Sequence, residues 1–178
     1  MGKRSDFTRL PRDYYRTIDP RAVQALKPFV TQGSAFVEPC AGDGILTDQL
    51  VEVLKLKCIA EYDIEPDNDR VIKKDALTIE ESDVIGADII CTNPPWDRKL
   101  LHPMIERFVS LRPTFLLFDA NWVWTKQSSR FINLYCTDII AIGRLKWIEN
   151  TTMSGKDDNA WFRFDLNKQG DTKFHERR

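Results

Sequence analysis

Asn93, Pro94, Pro95 and Trp96 bring together a carboxamide, two residues of fixed φ and a large aromatic ring. Neither proline has an N–H to donate, and Asn93, preceding a proline, is held extended. The Asn93 side-chain oxygen and the Pro94 carbonyl are therefore two acceptors in a fixed relation. Such a pair suits attack by an exocyclic amine whose lone pair is delocalised into a ring. Accepting hydrogen bonds from its N–H groups favours the pyramidal nitrogen of the transition state. Trp96 offers a face for a planar base, a contact worth about 1–3 kcal/mol in single-strand binders. Asn-Pro-Pro also breaks chains with no chemistry attached, so the catalytic reading requires a cofactor site elsewhere.

The elements that must position these residues are readable. Ala87–Thr92 is a short apolar, β-branched run that ends abruptly at the prolines, so the loop hangs from a strand's carboxyl end. Upstream, Ala35–Pro39 reads as a strand, Cys40–Gly44 as a glycine-rich turn and Ile45–Leu54 as a helix. About 20 residues on, a second strand, Cys58–Asp63, ends in acids, the placement of a ribose anchor in nucleoside-binding α/β folds. Glu61, Asp63 and Glu65 alternate onto one strand face, so periodicity cannot choose among them. Thr47 stands where a dinucleotide fingerprint has its third glycine, which favours a cofactor with a single nucleoside.

The Glu38–Gly44 turn, Asp63-Ile64-Glu65-Pro66, Lys74-Asp75-Ala76-Leu77 and Ile89–Trp96 resemble, in order and spacing, the class I S-adenosylmethionine-dependent methyltransferases. Asn-Pro-Pro-Trp resembles in particular the N6-adenine methyltransferases of DNA. The resemblance covers roughly residues 12–165. It implies S-adenosylmethionine as cofactor and methyl transfer to an adenine N6, first of all in DNA, with the base flipped out or unpaired. Asn93, Pro94, Pro95 and Trp96 would serve the target base, with Asn93 also touching the cofactor. Asp63 and Ile64 would meet the ribose, and Asp75 and Ala76 the cofactor's adenine. Tyr15, Thr17, Glu38, Pro39, Cys40, Ala41, Gly42 and Gly44 would line the methionine side. Asp43 has the alternative of only shaping the turn, and Asp75 that of capping a helix over 77–84. RNA adenine or a protein glutamine amide are alternative targets, although enzymes for the latter typically carry Tyr at the Trp96 position. A non-catalytic, cofactor-binding subunit is the alternative outside enzymes. The resemblance implies no metal. No segment is long enough for a separate target-recognition domain, which points to short loops, a partner or an oligomer for specificity.

Composition sets the remaining bounds. The chain has 178 residues, 42% hydrophobic and 30% charged, with a formal net charge of −1. That reads as one domain, and any basic footprint for nucleic acid must be local. Cys40, Cys58, Cys91 and Cys136 form no paired motif and read as reduced thiols of a cytoplasmic protein. No apolar run reaches the length of a membrane span. Residues 1–13 read as a basic arm, 14–166 as the methyltransferase domain and 167–178 as a polar, frayed tail. The expected fold is α/β and Rossmann-like: a mainly parallel seven-stranded sheet whose last strand is antiparallel.

Within it, Asp19-Pro20 starts a helix over Arg21–Val30. Residues 64–70 are too few for a full crossover helix, so the third strand is vestigial or reached by an irregular loop. His102 is expected to cap a helix, strands are expected over Ile139–Ile142, Leu145–Ile148 and Trp161–Leu166, and residues 150–159 form a small-residued, mobile lid.

Overall fold

The computed structural model describes residues 15–150 and 154–177; the basic arm, and residues 151–153 of the expected lid, lie outside them. Eight strands form one sheet: β1 (Ala35–Glu38), β2 (Lys57–Asp63), β3 (Ile72–Lys73), β4 (Ile89–Thr92), β5 (Thr114–Asp119), β6 (Cys136–Gly143), β7 (Asn159–Phe164) and β8 (Lys173–His175). Their order is β3-β2-β1-β4-β5-β7-β6-β8. Every neighbouring pair is parallel except those of β7, which runs antiparallel to β5 and β6. The carboxyl ends of seven strands thus share one edge, and strand order reverses at β1, where ligands settle in open α/β sheets.

The central strands are apolar because helices cover both faces. Helices α1 (Pro20–Gln24) and α2 (Ile45–Leu54) bury Ala22, Val23, Leu46, Leu50 and Leu54 with Phe36 and Trp161 on one face. On the other, α3 (Arg98–Val109) and α4 (Ser128–Leu134) enclose Ile105, Phe108, Phe131, Leu116 and Phe162. Phe118 stacks on Phe162 across the β5–β7 ladder, ring centroids 4.2 Å apart. Trp161, fully buried, donates from Nε1 to the Ala22 carbonyl at 2.7 Å and so ties β7 to α1.

Four expectations are corrected. The sheet has eight strands rather than seven: Lys173–His175, in the stretch read as a frayed tail, pairs with β6 in parallel. The Thr172 hydroxyl donates to Cys136 O at 2.7 Å, and Asp138 meets His175 at 2.7 Å, which fixes the added strand at both ends. Helix α1 stops at Gln24, after which Leu26 and Lys27 donate only three residues back. Pro28 is the cause, since its ring would clash with the Gln24 carbonyl. Residues 145–148 form no strand. Asp97, not His102, caps α3, its Oδ1 accepting from Lys99 N–H at 2.9 Å. The passage from β2 to β3 is an irregular loop, and β3 is only two residues long. Among the described residues no helix is long and apolar enough to cross a membrane.

Candidate active site

The turn after β1 is held from the end of β2. Gly42 N–H donates to Asp63 Oδ2 at 2.9 Å, and Glu65 N–H to Asp63 Oδ1 at 2.8 Å. Ala41 N–H reaches Tyr62 O at 2.9 Å, and Asp67 N–H reaches Gly42 O at 3.0 Å. Gly42 and Gly44 both have positive φ (55° and 83°), which lets the chain turn back on itself before α2. Of the three acids that alternation left equivalent, Arg70 sets Glu61 apart. Its guanidinium crosses to Glu61 (3.0 Å), Asp48 (2.7 Å) and the Gly44 carbonyl (2.9 Å), and takes Glu61 out of reach of the turn's open side. Asp43 Oδ1 accepts from Ile45 N–H at 3.1 Å and its other oxygen pairs with Arg16, so Asp43 does shape the turn.

These segments enclose a cavity of about 470 Å³ at the carboxyl ends of β1, β2 and β4, within the usual range for a small-molecule site. Its charge is one-sided: Glu38, Asp43, Asp63, Glu65, Asp67 and Asp75 line it against a single guanidinium, Arg16. Leu46, Leu77, Leu100 and Met104 supply apolar wall. Glu38 is 1% exposed and accepts from the Thr47 hydroxyl at 2.6 Å. Burial pushes its carboxyl well above the usual range, opposed by the Thr47 hydrogen bond and reinforced by Glu61. Burial, then the charges of Asp63 and Glu38, likewise push the Cys40 thiol up, leaving it an uncharged part of the wall. Asp75 caps the 3-10 turn Ala76–Thr78, Oδ1 accepting from Leu77 N–H at 2.9 Å.

Asn93 closes the cavity on the β4 side. Its amide nitrogen donates to Tyr15 O and to Thr17 Oγ1, both at 3.1 Å. With both N–H groups used, Oδ1 is the acceptor; it takes the Trp96 indole N–H at 3.2 Å and keeps a second lone pair. Trp96 is half-buried and meets Trp147 edge to face, centroids 5.7 Å apart, and Tyr15 lies 6.3 Å from Trp147 on the same side. The chain therefore holds a fixed amide oxygen between a carboxylate-lined cavity and a cluster of three aromatic rings.

No protein-family model matches the chain, and no curated protein matches it by sequence. Solved structures do match. A dimethyladenosine transferase of Plasmodium falciparum superposes with a TM-score of 0.55 at 14% identity, covering 85% of this chain and 62% of its own. A Listeria monocytogenes protein assigned to the class I S-adenosylmethionine-dependent methyltransferases gives 0.59 at 11% identity, with coverages of 87% and 61%. The type IIG restriction endonuclease BpuSI gives 0.50 at 12% identity, covering 81% of this chain and 24% of the enzyme. The fold is that of class I methyltransferases. The chain spans about three fifths of the length of the first two structures.

On this methyltransferase fold most of the residues singled out from sequence converge. Tyr15, Thr17, Glu38, Pro39, Cys40, Ala41, Gly42, Asp63, Ile64, Asp75, Ala76, Asn93 and Pro95 all line the one cavity. Gly44, Pro94 and Trp96 do not. Gly44 begins α2 with the Arg70 guanidinium packed where a side chain would be. Pro94 is buried, and Trp96 donates its indole N–H to Asn93. Thr17 is buried with its hydroxyl engaged by Asn93, so it positions that amide. His102 Nε2 accepts from the Trp122 indole at 3.1 Å, and burial followed by the Arg98 charge pushes its pKa down, which leaves it a neutral acceptor. Sequence reasoning missed Trp147, Arg16, Leu100 and Met104. The last two sit one helical turn apart in α3, a spacing that reads as ordinary core.

Proposed function

We propose that this chain transfers a methyl group from S-adenosylmethionine to the N6 amine of an adenine in nucleic acid, DNA first. The cavity's chemistry fits that cofactor. Five carboxylates and the buried Glu38 carboxyl against one arginine suit a ligand carrying a sulfonium and an ammonium and would repel the pyrophosphate of a dinucleotide. When bound, S-adenosylmethionine supplies an electrophilic methyl. Asp63 is assigned to the ribose hydroxyls, Asp75 and Ala76 to the cofactor's adenine, and Glu38 with the Pro39–Gly42 turn to the methionine end.

The observation that carries the reading is the orientation of Asn93. Tyr15 O and Thr17 Oγ1 take its N–H groups, so its oxygen is aimed to accept from an amine N–H as positive charge develops on nitrogen. The Pro94 carbonyl is the second acceptor, Pro95 fixes the loop, and Trp96 stacks the base. A duplex hides N6, so the base must be flipped or single-stranded. Two of the structurally similar proteins, a dimethyladenosine transferase and a restriction endonuclease, act by name on adenosine and on a nucleic acid, which supports the substrate class. Tritiated-methyl transfer onto duplex DNA, single-stranded DNA, RNA and protein extract, with the modified residue identified by mass spectrometry, tests it. Label in N6-methyladenine is the expected product. Label in protein glutamine, or none at all with cofactor bound, refutes the assignment.

A further inference from the structure

A second concavity, about 530 Å³, opens on the same sheet edge, lined by Arg21, Arg144, Ser154, Asp158 and Arg177. Three separate elements bring the guanidiniums together. Arg21 belongs to α1 and is held by Asp19 at 2.6 Å while its Nη2 donates to the Arg144 carbonyl at 2.8 Å. Arg144 follows β6. Arg177 follows β8, and its guanidinium packs on Gly143, where an added Cβ would lie 3.1 Å from Nη1. Among the described residues, neither Arg144 nor Arg177 makes an ion pair. Asp19 neutralises Arg21, and Asp158 on the rim offsets one further charge. An excess of one guanidinium remains, and the backbone N–H of Lys146 also donates to Asp19 Oδ2 at 3.0 Å.

From this geometry we infer that Arg21, Arg144 and Arg177 form a phosphodiester-binding site that holds the nucleic-acid strand beside the target base. The inference rests on the proposed nucleic-acid substrate. Guanidiniums converging from three elements present planar forks that match phosphate oxygens. Like charges gathered without a full set of carboxylates gain most from an anion. Placement supplies the rest. Arg21 lies four residues beyond Thr17, which touches Asn93, and Arg144 lies three before Trp147, which touches Trp96. At no more than about 3.6 Å per residue, Arg21 lies within about 14 Å of Thr17 and Arg144 within about 11 Å of Trp147, the residues that touch the catalytic loop. The longer of these spans is about four nucleotides at the 3.4 Å spacing of one duplex strand. β8 acquires a purpose here: running parallel to β6, it carries Arg177 to the edge where the loop stands.

The test uses the full chain and fluorescence anisotropy with a labelled, adenine-containing single-stranded oligonucleotide between 50 and 200 mM salt. For single strands, each phosphate contact adds a slope of about 0.7 in log K against log salt, which amounts to about fivefold in affinity at 0.1 M. Arg144→Gln/Arg177→Gln should weaken binding about 5- to 25-fold and flatten the slope by about 0.7–1.4, corresponding to one or two phosphates. S-adenosylmethionine affinity should stay at its wild-type value, which also certifies folding. Lys55→Gln/Lys57→Gln, the same charge change at two exposed residues beside the amino end of β2, should alter neither. If the arginine variant keeps wild-type affinity and slope while the wild type methylates the strand, the phosphate site is refuted and the methyltransferase reading stands. If the wild type neither binds nor methylates nucleic acid, both fall. Low-millimolar inorganic phosphate that binds the wild type without displacing the strand would assign the cluster to free phosphate and overturn the inference.

Discussion

Replacing Asn93 by Ala separates a catalytic amide from a turn residue. The side chain makes three hydrogen bonds: to Tyr15 O, to Thr17 Oγ1 and from Trp96 Nε1. Each is only part-buried, so water replaces much of what is lost. Taking the low end of the usual 0.5–1.5 kcal/mol per bond, the domain loses about 1–2 kcal/mol. At about 2–4 °C per kcal/mol for a chain of this size, Tm should fall by about 2–8 °C. A domain stable by about 5–15 kcal/mol remains almost wholly folded after that loss. Turnover should nevertheless drop about a hundred- to a thousandfold, the effect of removing one preorganised polar group that faces developing charge. The assay is single-turnover transfer of tritiated methyl to an adenine-containing oligonucleotide, with folded fraction from circular dichroism and cofactor binding from calorimetry. Cofactor affinity should change little, because Asp63, Asp75 and Glu38 stand apart from the amide. Trp96→Phe is the companion: it keeps a stacking face while releasing the indole donor from Oδ1, and it should keep most of the rate. Full activity per folded molecule in Asn93→Ala would refute the mechanism.

Three further outcomes are expected. Asp63→Ala removes the acceptor for Gly42 N–H and Glu65 N–H as well as the proposed ribose contact. It should weaken S-adenosylmethionine by about 1.5–3 kcal/mol, roughly 10- to 150-fold, whereas Glu61→Ala, which frees Arg70, should act more on Tm; calorimetry in the reverse order would reassign the acid. Glu38, whose pKa is raised by burial, holds its proton in the free protein above the point where the unfolded chain releases it. Native protein then binds more protons than unfolded, so this group's contribution to stability falls as pH rises from about 4.5. A cationic cofactor favours the carboxylate, so affinity should rise with pH over that window, below the titration of an α-amino group at about 7.7–8.0. Binding should release a proton, seen as a heat that depends on the buffer's ionisation enthalpy; Glu38→Gln should abolish both effects, and an unchanged pH profile in that variant would contradict the assignment. Trp124, 84% exposed at the carboxyl end of β5, should cost almost no stability when changed to Ala. It should weaken single-strand binding by about 1–3 kcal/mol if bases stack on it, and unaltered anisotropy titrations would remove it from the substrate path.

Local signals made much of this molecule legible. Ile45–Leu54 and Thr114–Asp119 are bounded as their periodicity indicates, and Asp19-Pro20 starts α1 as its cap chemistry requires. The glycine turn and the Asn-Pro-Pro-Trp loop have shapes dictated within a few residues. What stayed hidden was tertiary. Alternation put Glu61 and Asp63 on one face, and only Arg70, folding back from the irregular crossing, distinguishes them. Three largely exposed residues make β8, held by contacts from Cys136 and Asp138. Trp147 looked like part of a strand. Instead Leu145 O accepts from Gly155 N–H at 2.7 Å and the indole turns toward Trp96.

A formal net charge of −1 is a poor guide to partners because it sums over two opposed sites. At the β1 switch point the edge carries five carboxylates and the Glu38 carboxyl facing one arginine. At the β6–β8 end it carries three arginines against Asp158 on the rim and Asp19 beneath Arg21, an excess of one positive charge. Between them lies Asn93, tied to the segment that runs from Tyr15 to Arg21 and so to both sites. With a Debye length of about 8 Å at physiological salt, opposed charges farther apart than that across solvent are largely screened from each other. Segregation therefore serves the proposed reaction. A cationic cofactor is drawn to one end and a polyanionic strand to the other, and the amide oxygen meets the amine where the two approach.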